Sequence, residues 1–429
     1  MSHSKKLDFV LNKLYELNPN KIELKLDRVI RLANAIGNPQ DHLKNVITVT
    51  GTNGKGSIAF FLQEILIAHG YSVSLFQSPY LYNFLTRFLI NNKPLDEETF
   101  INYVIEIDKV NNNQDITFFE FITCIAFKAF AQVNSDYCII ETGLGGKFCS
   151  TNFNYKNLKA QILTPISFDH QDYLGNTLKE ITHNKCGIIK NNSNVIIAKQ
   201  TNEVLGYIDE ELRRKKIKKY IFSEDFNVNE ENNKMIFQED DGLLDLDMPT
   251  MKGSFQIQNA AVAIKTLKSI GLKLNNKKIS EGVKNTQIEG RIQHITKGKL
   301  LSYIHEETNT LIVDGGHNEQ AGRSLAEYLE KIKGKRSIYL VFSMLTTKDL
   351  KAYLSNFSSL VTEIKCFKLR ENFYETKDII NQAKKLGIHA NPNNSATEAM
   401  AQLAIQDPNA IIVVCGSLYS AGKVLEQNI

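Results

Sequence analysis

The chain has 429 residues, of which 42% are hydrophobic and 23% charged, a balance typical of a globular protein with two domains. Its net charge of +4 is too small to indicate nucleic-acid binding, and no apolar run reaches the ~18 residues that a membrane-spanning helix needs. The charged N-terminus lacks the apolar stretch of a secretory signal. The six cysteines are scattered without the paired spacing of disulfides or zinc sites, so we expect a cytoplasmic protein with reduced thiols.

Short apolar strands alternate with helical patterns from residue 45 onward. The strands predicted in the first part of the chain are Asn45–Val49, Ser72–Phe76, Tyr137–Ile140, Gln161–Ile166 and Val195–Ala198. Helical spacing of apolar residues predicts helices over Ser57–His69 and Phe118–Phe130. This alternation favours a mostly parallel sheet covered by helices.

A second series of the same kind begins near residue 300. Its predicted strands are Thr310–Val313, Ile338–Phe342, Glu363–Phe367 and Ala410–Val414. A helix is predicted over Ala321–Ile332. The charged stretch KGK interrupts the pattern between the two series, so we place the domain boundary there, with residues 1–296 in one α/β domain and 297–429 in another.

The segment ITVTGTNGKGS, residues 47–57, lies between a strand and an apolar helix, which is the context of a phosphate-binding loop. Its residue pattern differs from the usual phosphate-binding loop, in which Ser or Thr directly follows the lysine, because Gly56 separates Lys55 from Ser57. Glycines let backbone N–H groups face an anion, and the helix N-terminus adds a positive dipole. Lys55 is placed to reach a β- or γ-phosphate and Ser57 to support a metal ion. A tight turn with a surface lysine is the alternative, but the context favours nucleotide binding.

Two further strand ends carry side chains that suit metal and phosphate chemistry. Glu141 ends the strand of CIIETGLGGK, while Asp169 and His170 follow the strand of TPISFDHQDYLG. The carboxyl ends of parallel strands form the binding crevice of such sheets, and a carboxylate near a triphosphate is a reasonable magnesium ligand. Each of these residues alone also fits an ordinary capped loop. Lys185, at the edge of an apolar segment, looks by itself like a surface lysine.

The motifs TGTNGKGS, ETGLGGK with Thr151 and Asn152, FDHQDYLG, KCGIIK, GRIQ and DGGHN occur in an order that resembles folylpolyglutamate synthase/dihydrofolate synthase, a member of the Mur ligase superfamily. The resemblance runs from about residue 20 to the C-terminal GSLY, and the altered phosphate-loop spelling is typical of these ligases. It implies an N-terminal P-loop-type ATPase domain and a C-terminal Rossmann-like α/β domain. It also implies an ATP-dependent ligase that adds L-glutamate to folate and to dihydropteroate through an acyl phosphate, releasing ADP and phosphate.

The resemblance assigns roles to individual residues. The positions that match ATP contacts are Gly51, Thr52, Asn53, Gly54, Lys55, Gly56, Ser57, Asn259, Arg291 and Asp314. The positions that match ligands of two Mg²⁺ ions are Ser78, Glu141 and His170. The positions expected to act in catalysis are Lys55, Lys185, His170 and Arg291. Lys185 matches a lysine that the family carries as a carbamate, which would turn a cation into an anion.

Acceptor recognition is implied for three segments. The matching positions are Lys21, Ile22, Glu23, Leu24, Thr117, Phe118, Phe119, Glu120, Phe148, Cys149 and Ser150, with His317 for nucleotide and glutamate. Phe119 fits a core position equally well. Cys149 stands where the family usually has aspartate, and a thiol is a poorer hydrogen-bond acceptor than a carboxylate. The expected partners are a reduced folate or dihydropteroate and L-glutamate, bound by a monomer.

Two other interpretations of the nucleotide site stay open. One is another Mur-type amide ligase acting on a cell-wall nucleotide precursor. Those enzymes usually carry an extra N-terminal domain, for which we expect no room because the phosphate loop begins only about fifty residues into the chain. The other is an ATP-dependent switch protein, which would hydrolyse ATP without an amine acceptor. The strand-end residues Glu141 and His170, with Asp314 and His317 in the second domain, favour the glutamate ligase.

Overall fold

The structure, a computed structural model, describes residues 4–17 and 25–429 and forms two compact units. Unit 1 takes the chain up to Ser167, then 171–250 and 257–286. Unit 2 takes 168–170, 251–256 and 287–429. Both units are α/β, which confirms the predicted fold class. The domain limits at residues 296 and 297 stay a prediction.

Unit 1 is built on a large sheet and a small one. Its strands are β1 (Val46–Thr50), β2 (Val73–Phe76), β3 (Phe88–Ile90), β4 (Lys93–Pro94), β5 (Tyr137–Glu141), β6 (Leu158–Leu163), β7 (Asn194–Ile197), β8 (Lys218–Ile221), β9 (Phe226–Glu231), β10 (Lys234–Glu239) and β11 (Gly242–Asp247). The helices before residue 286 are α1 (Lys5–Tyr15), α2 (Asp27–Ala35), α3 (Lys55–Ala68), α4 (Glu97–Asn111), α5 (Phe118–Val133), α6 (Gln171–Leu174), α7 (Leu178–Cys186), α8 (Asn202–Leu212), α9 (Ser254–Ser269) and α10 (Asn276–Asn285).

The large sheet has the order β4-β3-β2-β5-β1-β6-β7-β8. Strands β2, β5, β1, β6, β7 and β8 are parallel, and β3 and β4 pair antiparallel at one edge. The sequences VITVT of β1 and YCIIE of β5 are buried along their whole length, as expected for strands covered by helices on both faces. Since β5, β1 and β6 are neighbours, their carboxyl ends bring Thr50, Glu141 and Leu163 to one edge of the sheet.

The small antiparallel sheet, β11-β10-β9, was not predicted. Its first hairpin turns at Asn232 and Asn233, which both have positive φ, as a two-residue hairpin turn requires. Met235 and Phe237 on β10 are buried at alternate positions. The half-buried Ile236 lies between them, so the sequence shows a short apolar run among charged and polar residues and not a clear alternation.

Unit 2 has one six-stranded sheet of order β12-β13-β17-β14-β15-β16. Its strands are β12 (Gln293–His294), β13 (Thr310–Val313), β14 (Ile338–Phe342), β15 (Glu363–Cys366), β16 (Ala390–Pro392) and β17 (Ile411–Cys415). Its helices are α11 (Glu319–Lys333), α12 (Leu350–Leu354), α13 (Thr376–Lys385), α14 (Ala396–Gln406) and α15 (Leu418–Glu426). The strands are parallel except for the short β12, which pairs antiparallel with β13.

The predicted bounds of one strand were wrong by three residues at each end. The strand predicted at Gln161–Ile166 is β6, which begins at Leu158 and ends at Leu163. Pro165 has no N–H to give to a ladder, so the strand stops before it. The carbonyl of Pro165 instead accepts the N–H groups of Thr52 and Asn53, at 2.9 and 3.3 Å. Within the described ranges, no helix combines the length and the apolar character needed to cross a bilayer.

Candidate active site

The predicted phosphate loop connects β1 to α3 at the carboxyl edge of the large sheet. Gly54 has φ 83° and caps α3 without a side chain, and Lys55 is the first residue of the helix. Because the N–H groups of a first helical turn have no acceptor within the helix, they are available to an anion in front of it. The N–H groups of Thr52 and Asn53 are used by Pro165, so the helix end, and not the start of the loop, faces an incoming phosphate.

Two glycines of the loop are required by close neighbours. A Cβ placed on Gly51, where φ is 149°, would overlap the side chain of Thr164 and lie 2.8 Å from its carbonyl oxygen. A Cβ on Gly54 would lie 2.8 Å from Oδ1 of Asn259. The structure thus places Asn259, which was predicted as an ATP contact from a distant part of the sequence, directly against the loop.

Two lysines converge on the carbonyl oxygen of Gly51. Lys185 Nζ donates to it at 2.7 Å, and Lys55 Nζ donates to it at 3.3 Å and to the carbonyl of Thr52 at 3.0 Å. Lys185 is only 4% exposed, so its interpretation as a surface lysine was wrong. Two positive charges beside a glycine loop suit the binding of a polyphosphate.

Glu141 and Ser78 lie together beside the loop. The backbone N–H of Ser78 donates to Oε2 of Glu141 at 3.1 Å, and the same oxygen would lie 3.9 Å from a Cβ on Gly56. The Ser78 hydroxyl is buried and has no hydrogen-bond partner among the described residues. A carboxylate next to such a hydroxyl fits Mg²⁺, which takes few protein ligands and completes its shell with water and phosphate oxygens. Among residues 4–17 and 25–429, no group of three or more His, Cys, Asp or Glu is placed to hold a metal ion.

His170 belongs to unit 2, whereas Ser78 and Glu141 belong to unit 1. Its Nε2 lies 3.5 Å from Nζ of Lys348, which is half-buried and paired with Asp169. Asp169 Oδ2 lies 3.6 Å from Nε2 of His317. Although burial disfavours its charge, the hydrogen bond from His317 and the positive charges of His317, His170 and Lys348 hold the pKa of Asp169 well below its usual range.

The partnership of Lys348 and Asp169 was missed by sequence reasoning. The two residues are 179 positions apart, and the TTKDL segment around Lys348 resembles an ordinary polar turn. No pattern in a single sequence connects them. The cluster nevertheless fixes the side chain of His317, which the sequence did single out.

Asp314, Arg291 and His317 come together in unit 2. The carboxylate of Asp314 accepts the backbone N–H of Ile292 at 3.0 Å and that of Gly316 at 2.8 Å. Burial raises the pKa of Asp314, while the nearby charge of Arg291 opposes that shift. A Cβ on Gly315 would lie 3.1 Å from Nη1 of Arg291. Asp314 therefore fixes the loop that carries His317, besides any contact it makes with a ligand.

The predicted acceptor segment 117–120 forms the start of α5. Thr117 and Glu120 make a capping box, and Nε of Arg28 donates to Glu120 at 3.0 Å. The ring of Phe119 is half-buried and would lie 2.5 Å from a Cβ on Gly143, so it covers the glycine loop after Glu141. Phe118 is also half-buried, and its ring stacks on that of Tyr15 at the end of α1.

The third predicted acceptor segment, residues 148–150, is exposed at its first residue and buried at the next two. Phe148 is 37% exposed, whereas Cys149 and Ser150 are buried. Cys149 Sγ lies 3.2 Å from Oγ1 of Thr151, and the Ser150 hydroxyl lies 2.7 Å from that of Thr123. The fourth set, Lys21–Leu24, lies outside the described residues.

Comparisons with known proteins agree with this architecture. The Mur ligase middle domain matches residues 49–267, and the C-terminal domain of dihydrofolate synthetase matches 297–427. The dihydrofolate synthetase of Saccharomyces cerevisiae is 30% identical over 435 residues, covering 94% of this chain and 97% of that one.

Solved structures extend the agreement to three dimensions. Escherichia coli FolC in complex with DHPP and ADP superimposes with a TM-score of 0.87 at 26% identity, covering 98% of this chain and 97% of that one. A bifunctional folylpolyglutamate synthase/dihydrofolate synthase with Mn, AMPPNP and L-glutamate bound gives a TM-score of 0.85 at 25% identity, with 98% and 97% coverage. These likenesses, with the glycine loop and its two lysines, show that the chain belongs to the dihydrofolate synthase/folylpolyglutamate synthase family of Mur-type ligases.

Proposed function

We propose that this protein is an ATP-dependent ligase that joins L-glutamate to dihydropteroate and to reduced folates, releasing ADP and phosphate. The observation that carries the proposal is the loop at Gly51–Ser57, where a helix N-terminus and the ammonium group of Lys55 form a polyphosphate site. Relatives that match nearly the full length are named for these two activities, and related structures hold DHPP and ADP, or Mn, AMPPNP and L-glutamate.

The chemistry requires activation of a carboxylate. A carboxylate is a poor electrophile, so the acceptor attacks the γ-phosphorus of ATP through its own oxygen and becomes an acyl phosphate while ADP leaves. The amine of L-glutamate then adds to the acyl carbon, and the tetrahedral intermediate expels phosphate to leave an amide. In dihydropteroate the reacting group is the benzoate carboxylate, and in folate it is the γ-carboxylate of the glutamate tail.

Lys55 neutralises the phosphoryl group during its transfer. In the structure its ammonium group rests on the carbonyls of Gly51 and Thr52, from which it can turn to a γ-phosphate. Arg291, which matches an ATP contact of the family, would add a further positive charge at the nucleotide. Asp314 and His317 complete the nucleotide and glutamate contacts, with the carboxylate of Asp314 holding the loop in place.

Ser78 and Glu141 would hold Mg²⁺, with His170 serving a second ion. When bound, Mg²⁺ supplies Lewis-acid stabilisation of the phosphate oxygens. Lys185 would act as a carbamate formed with carbon dioxide. A carbamate keeps one N–H on Nζ, so the hydrogen bond to the Gly51 carbonyl survives the modification. The buried position of Lys185 protects the adduct from water.

The acceptor would lie against the segments that begin with Thr117 and Phe148. Phe119, half-buried over Gly143, presents a ring edge to this side of the loop. Cys149 is buried next to Thr151, so its effect on pterin binding acts through the shape and polarity of the segment. We place the enzyme in the cytoplasm as a monomer, in line with its six free, buried cysteines.

The test is ADP formation by the purified protein with ATP and Mg²⁺, with and without L-glutamate, using dihydropteroate or a reduced folate as acceptor. We expect ADP release that depends on L-glutamate with both acceptors. Release that ignores L-glutamate would favour an ATP-dependent switch protein. No release with either acceptor would point to another Mur-type amide ligase, and turnover with folates alone would make Cys149 the first residue to restore to aspartate.

A further inference from the structure

Three aromatic side chains outside the phosphate loop form one surface, which we call the aromatic platform: Tyr15, Tyr80 and Phe118. The rings of Tyr15 and Phe118 are stacked, with centroids 4.8 Å apart and an interplanar angle of 23°. The hydroxyl groups of Tyr15 and Tyr80 are 2.7 Å apart and share a hydrogen bond. Tyr15 is 40% exposed, and the other two rings are half-buried. The platform is thus ordered by ring stacking and a hydrogen bond while it still faces solvent.

A buried cation supports the platform. Arg87 is only 7% exposed, and its guanidinium carbon lies 4.9 Å from the ring centroid of Tyr80 and 5.9 Å from that of Phe118. A guanidinium that is shielded from water attracts the faces of aromatic rings more strongly than an exposed one does. The backbone carbonyl of Arg87 accepts the N–H of Gln77 at 3.0 Å, which ties it to the strand end before Ser78. Arg87 therefore holds two rings of the platform in place.

The platform adjoins the residues proposed to hold metal and acceptor, all within unit 1. Tyr80 follows Ser78 by two residues, and the N–H of Ser78 donates to Glu141. Phe118 precedes Phe119, whose ring covers the glycine loop at Gly143. Two separate segments of the chain thus connect the platform to the residues proposed to hold the metal and the acceptor.

We propose that the aromatic platform stacks against the flat ring system of the acceptor acid, and that Tyr15 and Tyr80 are specificity-determining residues for it. The proposal rests on the proposed function, because it takes the acceptor to be a pteridine-containing benzoate or its glutamate conjugate. Such acceptors carry planar rings, and aromatic pairs add binding free energy beyond the area that they bury. The adenine ring of ATP is the competing occupant, and the experiment separates the two.

The experiment compares Tyr15→Ala with Tyr71→Ala. Tyr71 is a matched control because it is 36% exposed and also contacts another tyrosine, Tyr137, at 5.2 Å, but it lies at the amino ends of β2 and β5. Dissociation constants of dihydropteroate and tetrahydrofolate are measured by equilibrium dialysis in the presence of Mg²⁺ and a non-hydrolysable ATP analogue. Steady-state KM values for ATP and L-glutamate are measured alongside.

We expect Tyr15→Ala to weaken acceptor binding about three- to tenfold, the usual worth of one ring pair. The KM values for ATP and L-glutamate and the kcat stay at wild-type values, and Tyr15→Phe keeps most of the acceptor affinity because it keeps the ring. Tyr71→Ala binds the acceptor like wild type. For the positioning residue Arg87, we expect Arg87→Met to raise the acceptor KM without lowering kcat and Arg87→Lys to restore part of the loss.

Other outcomes overturn the proposal. Wild-type acceptor affinity in Tyr15→Ala, or an equal loss in Tyr71→Ala, removes the platform from acceptor binding. Weaker binding of the ATP analogue with unchanged acceptor affinity assigns the surface to the nucleotide. Wild-type protein that binds the acceptor but forms no ADP in response to L-glutamate contradicts the proposed function alone, whereas wild-type protein that binds neither acceptor contradicts both.

Discussion

Gly51 is the position of the phosphate loop where a side chain is least tolerated. Its φ of 149° is one that other residues rarely adopt, and a Cβ there would overlap Thr164 and lie 2.8 Å from its carbonyl oxygen. Backbone strain of this kind costs about 1–3 kcal/mol, and overpacking costs a similar amount, ~1–3 kcal/mol. We therefore expect Gly51→Ala to destabilise unit 1 by about 2–6 kcal/mol. Activity is expected to fall further, because the Gly51 carbonyl positions both Lys55 and Lys185.

The assay is thermal unfolding followed by circular dichroism, together with ADP formation. For a unit of this size the loss corresponds to a decrease in the unfolding midpoint of roughly 4–12 °C. Gly56→Ala is the stability control, since a Cβ there meets nothing closer than 3.9 Å. The double variant Gly51→Ala/Thr164→Ala removes the overlapping hydroxyl, which has no partner among the described residues, and recovers part of the stability. An unchanged midpoint in Gly51→Ala would refute the reasoning.

The remaining predictions concern three charged side chains. Lys55→Ala is expected to abolish ligation, measured as ADP formation; near-normal turnover would remove the phosphate-loop assignment. Lys185→Ala is expected to lower activity, with partial rescue by added short carboxylates, and an unaffected enzyme would contradict the carbamate. Burial disfavours the charge of Glu363, but hydrogen bonds from Lys365 and two amides outweigh it and hold its pKa below the usual 4.5. The stability that this charge contributes is therefore present above pH 4.5 and lost as pH falls through the lower folded-state pKa. Glu363→Gln is expected to flatten this acid dependence in thermal unfolding between pH 7 and pH ~3, while the exposed Glu306→Gln leaves it as in wild type; parallel curves for wild type and Glu363→Gln would contradict the assignment.

The sequence was most informative where one short segment carries its own signals. VITVT, the glycines after it and the apolar helix that follows each have a local physical meaning, and together they predicted β1, the loop and α3 within two residues of their bounds. The ordered motifs then identified the family. The small sheet β9–β11 also had a signal, the short apolar run Met235–Phe237 after an Asn-Asn turn, which was overlooked.

Other features depend on partners far apart in the chain. Nothing near Glu120 shows that Arg28 engages its carboxylate, and nothing near Lys348 points to Asp169. Such pairs form because the fold brings two buried charges together, and a lone charge at either place would be costly. The aromatic platform is of the same kind, since Tyr15 and Tyr80 meet only once α1 has packed.

Unit 2 is formed by three separate segments of the chain, and this affects both the design of protein fragments and recombination between genes. A fragment beginning at residue 297 would leave behind β12, Arg291 and the carboxylate of Asp169. The edge of β13 would lose its antiparallel partner, and Lys348 would lose the anion that neutralises it. A single cut therefore does not release a complete second unit, and a single crossover between genes does not transplant one. We therefore expect the coding sequences of the two units to be inherited together.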